Sequence, residues 1–237
     1  LHEIFMDAFF RKAPHLSLYH MIETDLIQHK FGKKSNEARD AFMFMDSLVG
    51  NIMAFLDENE LWETTTLIIA GDHGFRDYEK RVNLNRLFEK EGWLNVKNGL
   101  ISDWQVVCLA SGGSGFVRLK DPSNIAFKKK VRLLLSKQQA FETLEQRHMN
   151  GVLWASPRTD FLLLANKGYG FVRSIDQPYL VDSPGGSHGG DPRYSYLKTG
   201  FIAGGRGIKH RKIDSMAVMD LAHKISDLLD LGMEKAP

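Results

Sequence analysis

The sequence predicts an α/β fold: a mainly parallel sheet flanked by helices, with an α+β cap inserted between core strands. Three observations carry this expectation. Residues 65–70 form a short apolar, β-branched run that stops at Gly71-Asp72-His73-Gly74, as a buried parallel strand does when turn residues bound it. Residues 16–22 (LSLYHMI) read as an earlier strand that ends at Glu23-Thr24-Asp25. Between them, residues 36–56 place Ala38, Ala41, Phe42, Met45, Leu48, Val49, Ile52, Phe55 and Leu56 at alternating spacings of three and four, the signature of one buried helical face. Strand, helix and strand joined by short connections make a βαβ unit with a right-handed crossover.

The remaining elements follow in order. Ser35 is the expected N-cap of the long helix. Residues 76–187 read as an insertion. Within it, residues 84–90 suit a short helix, and residues 105–109 and 116–119 suit strands on either side of Ser111-Gly112-Gly113-Ser114-Gly115. That glycine-rich stretch reads as a hairpin turn, because it lacks the Lys and the helix of a phosphate-binding P-loop. Residues 126–147 are expected to be helical, and residues 160–165, 171–173 and 179–181 to be short strands. Residues 199–203 form a last core strand. Residues 214–231 form a closing amphipathic helix stopped by Gly232. The whole of residues 1–237 is expected to be a single α/β domain, with residues 76–187 as the cap.

Bulk composition narrows the function classes. Hydrophobic residues make up 43% of the chain and charged residues 25%, so a real core is available. The net charge is +2, well short of the basic excess that marks a nucleic-acid surface. The one local exception, residues 206–212 (RGIKHRK), reads as a solvated turn. Cys108 is the single cysteine and sits in an apolar run, where it acts as a small hydrophobe. A thiolate zinc site is therefore excluded, and any metal must be held by His and carboxylates. No apolar run approaches the ~20 residues of a membrane-spanning helix.

Three clusters supply such ligands. Asp25 and His29 stand four apart just after the first strand, so on one helical turn they share a face. Asp72 and His73 follow the second strand. His188 lies in Ser187-His188-Gly189-Gly190, a glycine-dense loop before the last strand. Loops at the carboxyl ends of strands are where an open α/β sheet gathers its chemistry. Asp and His are also the ligand types that a borderline cation such as Zn²⁺ accepts. Arg76, Lys80 and Arg81, just after the second cluster, either begin a solvated helix or meet an anion.

Taken in order, these motifs resemble the alkaline phosphatase superfamily, and within it the type I phosphodiesterase/nucleotide pyrophosphatase branch. Asp25 through His29, then Phe31-Gly32, is similar to that branch's Asp-x-x-Gly-His-x-x-Gly segment, with Gln28 where Gly is usual. Residues 66–75 are similar to its strand-Asp-His-Gly-aromatic segment. Residues 185–189 resemble its Gly-x-His-Gly loop, and Phe201-Ile202-Ala203-Gly204 the strand that follows. The resemblance implies an alkaline phosphatase-like sheet, hydrolysis of a small phosphorylated substrate, and two divalent metal ions, zinc or manganese. It assigns Asp25, His29 and His188 to one ion, and Asp72 and His73 to the other.

The family also uses a strand-end Asp and a Thr or Ser nucleophile upstream of the Asp-x-x-x-His motif. Only 24 residues precede Asp25, and they hold no such pattern; Ser17 lies inside the expected strand. The expectation is therefore a C-terminal portion of a longer catalytic domain. Its N-terminal strands and its nucleophile would lie upstream, it would pair with that segment, and one metal site would be incomplete. Two other readings stay open. One is a single-metal hydrolase in which Asp25, His29 and His188 leave a fourth position to water. The other is a non-catalytic module that binds metal or an anion.

Overall fold

The computed structural model describes residues 1–145 and 158–234. Its helices are α1 (His2–Lys12), α2 (Glu23–Phe31), α3 (Asn36–Glu58), α4 (Leu84–Lys90), α5 (Ile125–Ser136) and α6 (Asp220–Leu229). Its strands are β1 (Thr66–Ala70), β2 (Arg76–Val82), β3 (Leu94–Lys97), β4 (Leu100–Trp104), β5 (Val106–Ser111) and β6 (Ser114–Leu119), then β7 (Phe141–Glu145), β8 (Phe161–Ala165), β9 (Gly168–Phe171), β10 (Leu180–Ser187) and β11 (Phe201–Gly205). The fold is α/β. The chain divides into two compact units, one holding Leu1–Thr24, Asp40–Asp72 and the chain from Thr199, the other holding Asp25–Arg39 and His73–Lys198.

In the first unit β1 pairs with β11 in antiparallel register, Ile68 opposite Ala203. The ladder is extended by Arg206 N–H donating to Thr65 O at 2.9 Å and by the Thr66 hydroxyl donating to Arg206 O at 2.6 Å. Along α3, Ala41, Ile52 and Leu56 are buried as the three-four spacing predicts, whereas Phe42, expected on the same face, is 54% exposed. The expected strand at residues 16–22 does not form. The segment has no ladder partner among the described residues, and Leu18 is 79% exposed. An apolar run becomes a strand only where a neighbouring edge takes up its backbone hydrogen bonds. Tyr19 instead stacks on Phe5 of α1, ring centroids 4.6 Å apart. The expected parallel βαβ pair is thus replaced by the antiparallel β1–β11 pair.

The second unit holds most of the buried core. A four-stranded antiparallel sheet runs in the order β5-β6-β8-β7, and all five residues of β8 are buried. Val106, Val117, Phe161 and Leu163 close its inner face, with Leu84 and Phe88 from α4 and Val131 and Leu135 from α5. A second sheet, β10-β2-β9, is antiparallel on one side of β2 and parallel on the other. Pairing directions are therefore mixed, and β2–β9 is the only parallel pair among the described residues.

Other boundaries move for identifiable reasons. The expected helix at residues 126–147 ends at Ser136. The chain then bends and forms β7 from Phe141, where Phe141 reaches the core at 4% exposure; residues 146 and 147 lie outside the described residues, as does His148. The helix expected from residue 214 starts at Asp220 and stops at Asp230, whose left-handed φ of 53° ends it before Gly232. The segment Arg76-Asp77-Tyr78-Glu79-Lys80-Arg81 is a strand, not a solvated helix start.

Candidate metal centre

The sequence clusters within the second unit converge. Asp25 and His29 lie on α2 and share one face by their i, i+4 spacing. Asp25 stands in the helix's first turn, where the helix dipole favours a carboxylate. His73 lies between β1 and β2, and His188 directly after β10. Asp25 Oδ1 is 3.9 Å from His73 Nε2 and 3.8 Å from His188 Nε2, and Asp25 Oδ2 is 3.6 Å from His29 Nε2. The His73 and His188 rings are stacked, centroids 3.8 Å apart.

The proton positions follow from the second ring nitrogens. His29 Nδ1 lies 3.0 Å from Gly186 O, and His73 Nδ1 lies 3.2 Å from Gly74 O. A carbonyl oxygen only accepts, so each Nδ1 donates, and Nε2 is the ring nitrogen turned toward the carboxylate. Metal-ligating histidines are held in this way, the distal N–H tied to a carbonyl and the other nitrogen left basic.

The centre fits a cation. Asp25 Oδ1 is inaccessible to solvent and has no hydrogen-bond partner. A buried carboxylate oxygen without a partner is costly. Its neighbours at 3.8–3.9 Å are too far for hydrogen bonds, but Asp25, His73 and His188 each offer a ligand atom, all within 4.8 Å of one another. This oxygen-nitrogen donor set suits zinc. His29 adjoins the group through Asp25 Oδ2, and Asp72 belongs to the first unit.

Neighbouring residues hold these side chains in place. Phe75 sets its ring edge-on to His29 and His188, with centroids at 4.9 and 5.6 Å. Gly186 lets α2 rest directly on β10: a Cβ there would stand 2.2 Å from Gln28 O. The Gly112-Gly113 turn joins β5 and β6, as the hairpin reading expects, and it also braces the His188 loop. Gly113 N–H donates to His188 O at 2.8 Å, and a Cβ on Gly113 would stand 2.4 Å from Gly189 O. Arg76 is buried and is committed to the carbonyls of Ala165 and Asn166, beside the Tyr196 ring. Lys80 pairs with Asp182 at 3.6 Å.

The family model described as type I phosphodiesterase / nucleotide pyrophosphatase matches residues 1–191. A venom phosphodiesterase of Naja atra is 24% identical over 230 residues, covering 93% of this chain and 26% of that protein. The structure of an inactive murine ectonucleotide pyrophosphatase / phosphodiesterase 5 in complex with AMP aligns over all of this chain and 59% of its own, with a TM-score of 0.72 and 18% identity. The human ectonucleotide pyrophosphatase / phosphodiesterase 5 structure aligns over 90% of this chain and 53% of its own, with a TM-score of 0.67 and 19% identity. The chain thus spans about a quarter of the first relative's length and somewhat over half of each structural relative. No helix among the described residues is long and apolar enough to cross a membrane.

Proposed function

Because the chain belongs to the type I phosphodiesterase/nucleotide pyrophosphatase family, we propose that it is the metal-holding part of a zinc-dependent hydrolase of phosphodiesters or pyrophosphates. The observation that carries this reading is the Asp25 carboxylate, its Oδ1 buried and without a hydrogen-bond partner, facing the Nε2 atoms of His73 and His188. Asp25, His73 and His188 would hold one cation, with His29 joining them. Asp72 would serve the second position that the family resemblance assigns. A divalent ion in such a site offsets charge on the phosphoryl oxygens and clamps the attacking and leaving oxygens.

The chain's own residues do the rest. Gly186 O and Gly74 O accept from the Nδ1 atoms of His29 and His73 and so orient the two rings with Nε2 toward Asp25. Phe75 packs its ring against both His29 and His188. The nucleophile is proposed to come from a segment upstream of Leu1. A nucleotide substrate is consistent with the AMP bound by the murine relative.

Hydrolysis of an aryl phosphodiester tests this reading, measured with and without zinc on this chain and on a longer form carrying the upstream segment. The expected result is zinc-dependent turnover by the longer form and little by the chain alone. Absence of both zinc binding and turnover in the longer form would contradict it. A second reading, a single-metal hydrolase, is favoured by the compactness of the Asp25-His73-His188 group. It predicts zinc-dependent turnover by this chain on its own, with metal-bound water as nucleophile.

A further inference from the structure

The outward face of α5 serves neither the metal centre nor the core. Val131 and Leu135 turn inward and are buried in the core of the second unit. The opposite side carries Lys129, Lys130 and Arg132, with Lys137 at the C-cap, all exposed. At about 3.6 residues per turn, these four fall with Ile125 and Leu133 on one half of the helix circumference. Ile125 is 59% exposed and Leu133 58%. The remaining cation, Lys128, is spent inward on Asp160, Nζ to Oδ1 at 2.8 Å. The helix contains no Asp or Glu, and none of Lys129, Lys130 and Lys137 meets a carboxylate among the described residues. On the neighbouring β7, Phe141 is buried in the core and Glu142 alternates to the other side of the strand. The face is thus a one-sign field of cations around two exposed aliphatic side chains.

We propose that the outward face of α5 is a docking surface for an anionic lipid bilayer, with Lys129, Lys130 and Lys137 meeting the headgroups and Ile125 and Leu133 entering the boundary beneath them. Charge complementarity selects an anionic partner. Cations alone would suit any polyanion. The two aliphatic side chains among them decide for a bilayer, because they gain by leaving water there and gain nothing on a sulfated polysaccharide. The lysine stems are long enough to lie along apolar surface while their ammonium groups stay at headgroup level. The helix has 12 residues, short of the ~20 that span a membrane, so it lies on the surface rather than crossing it.

Co-sedimentation of the whole chain with vesicles tests this, using phosphatidylcholine alone and phosphatidylcholine mixed with phosphatidylserine. The wild-type chain is expected to sediment with the mixed vesicles only and to be released by high salt. Replacing Lys129, Lys130 and Lys137 together by Gln should weaken partitioning roughly a hundredfold, at about fivefold per cation. The same loss of charge in the basic segment 206–212, with Lys209, Arg211 and Lys212 replaced by Gln, should leave binding near the wild-type level. Leu133→Ser, which keeps every charge, should weaken it at least about threefold. All the replaced side chains are exposed, and far-ultraviolet circular dichroism checks that each variant is folded. No binding to the mixed vesicles, or equal binding to phosphatidylcholine alone, overturns the proposal. Equal losses in the two triple variants overturn α5 as the surface. Full binding by Leu133→Ser, or retention on immobilised heparin without sedimentation, overturns the bilayer as the partner.

Discussion

His29 Nδ1 lies 3.0 Å from the carbonyl oxygen of Gly186, a contact across 157 residues that ties α2 to β10 and turns His29 Nε2 toward Asp25. The contact fixes ring orientation as well as tautomer. His29→Ala is therefore expected to lower zinc affinity by about 10–100-fold, the usual effect of disturbing the shell around a metal. Equilibrium dialysis against a zinc buffer reads this directly, and unchanged affinity would remove His29 from the centre.

Gly186 allows that contact because it has no side chain. In Gly186→Ala the added methyl would stand 2.2 Å from Gln28 O and 3.2 Å from the Phe75 ring, so α2 must lift from β10. Overpacking of this kind costs about 1–3 kcal/mol. The expected outcome is a lower urea midpoint together with weaker zinc binding, since α2 carries Asp25. A loss of stability with zinc affinity intact would show that the strand does not position the ligands.

Asp191 is 4% exposed and accepts hydrogen bonds from Arg193, whose guanidinium holds the carboxyl below its ordinary range. A depressed native pKa means that the unfolded chain binds the proton more tightly. The stabilisation is then present above the unfolded value of about 3.9 and is lost as pH falls through the native value. Asp191→Asn should lower the unfolding midpoint at pH 7. Its difference from wild type should close below about pH 4. Denaturation curves across that range check the sign, and a gap that widens in acid would contradict it.

Cys108 lies 4% exposed on β5, and burial pushes its thiol up to about 12. Thiolate is the reactive form, so the native chain should resist a disulfide-exchange reagent at pH 8 and react fully once unfolded. Rapid labelling of the native chain would show that the β5–β6 core opens readily.

The ligand types were legible because they fall in short motifs at the ends of apolar runs. Asp25, His29, His73 and His188, singled out in the sequence, all lie in one unit. What the sequence concealed is supplied by contacts between distant segments. Arg76-Asp77-Tyr78-Glu79-Lys80-Arg81 is too polar to read as a strand, yet Arg76 and Tyr78 are buried on one side of β2 because backbone carbonyls and the β9 and β10 edges receive them. Residues 16–22 have strand composition without a ladder partner among the described residues, and composition cannot reveal that. Gly186 and Gly113 show their purpose only once Gln28 O and Gly189 O lie against them.

The most direct test of the account is zinc per chain, measured by elemental analysis after dialysis, for the wild-type chain and for Asp25→Ala and His188→Ala. The account predicts at least one tightly held zinc in the wild type and its loss in both variants, with far-ultraviolet circular dichroism unchanged. Equal metal content in all three, or none in the wild type, would contradict it.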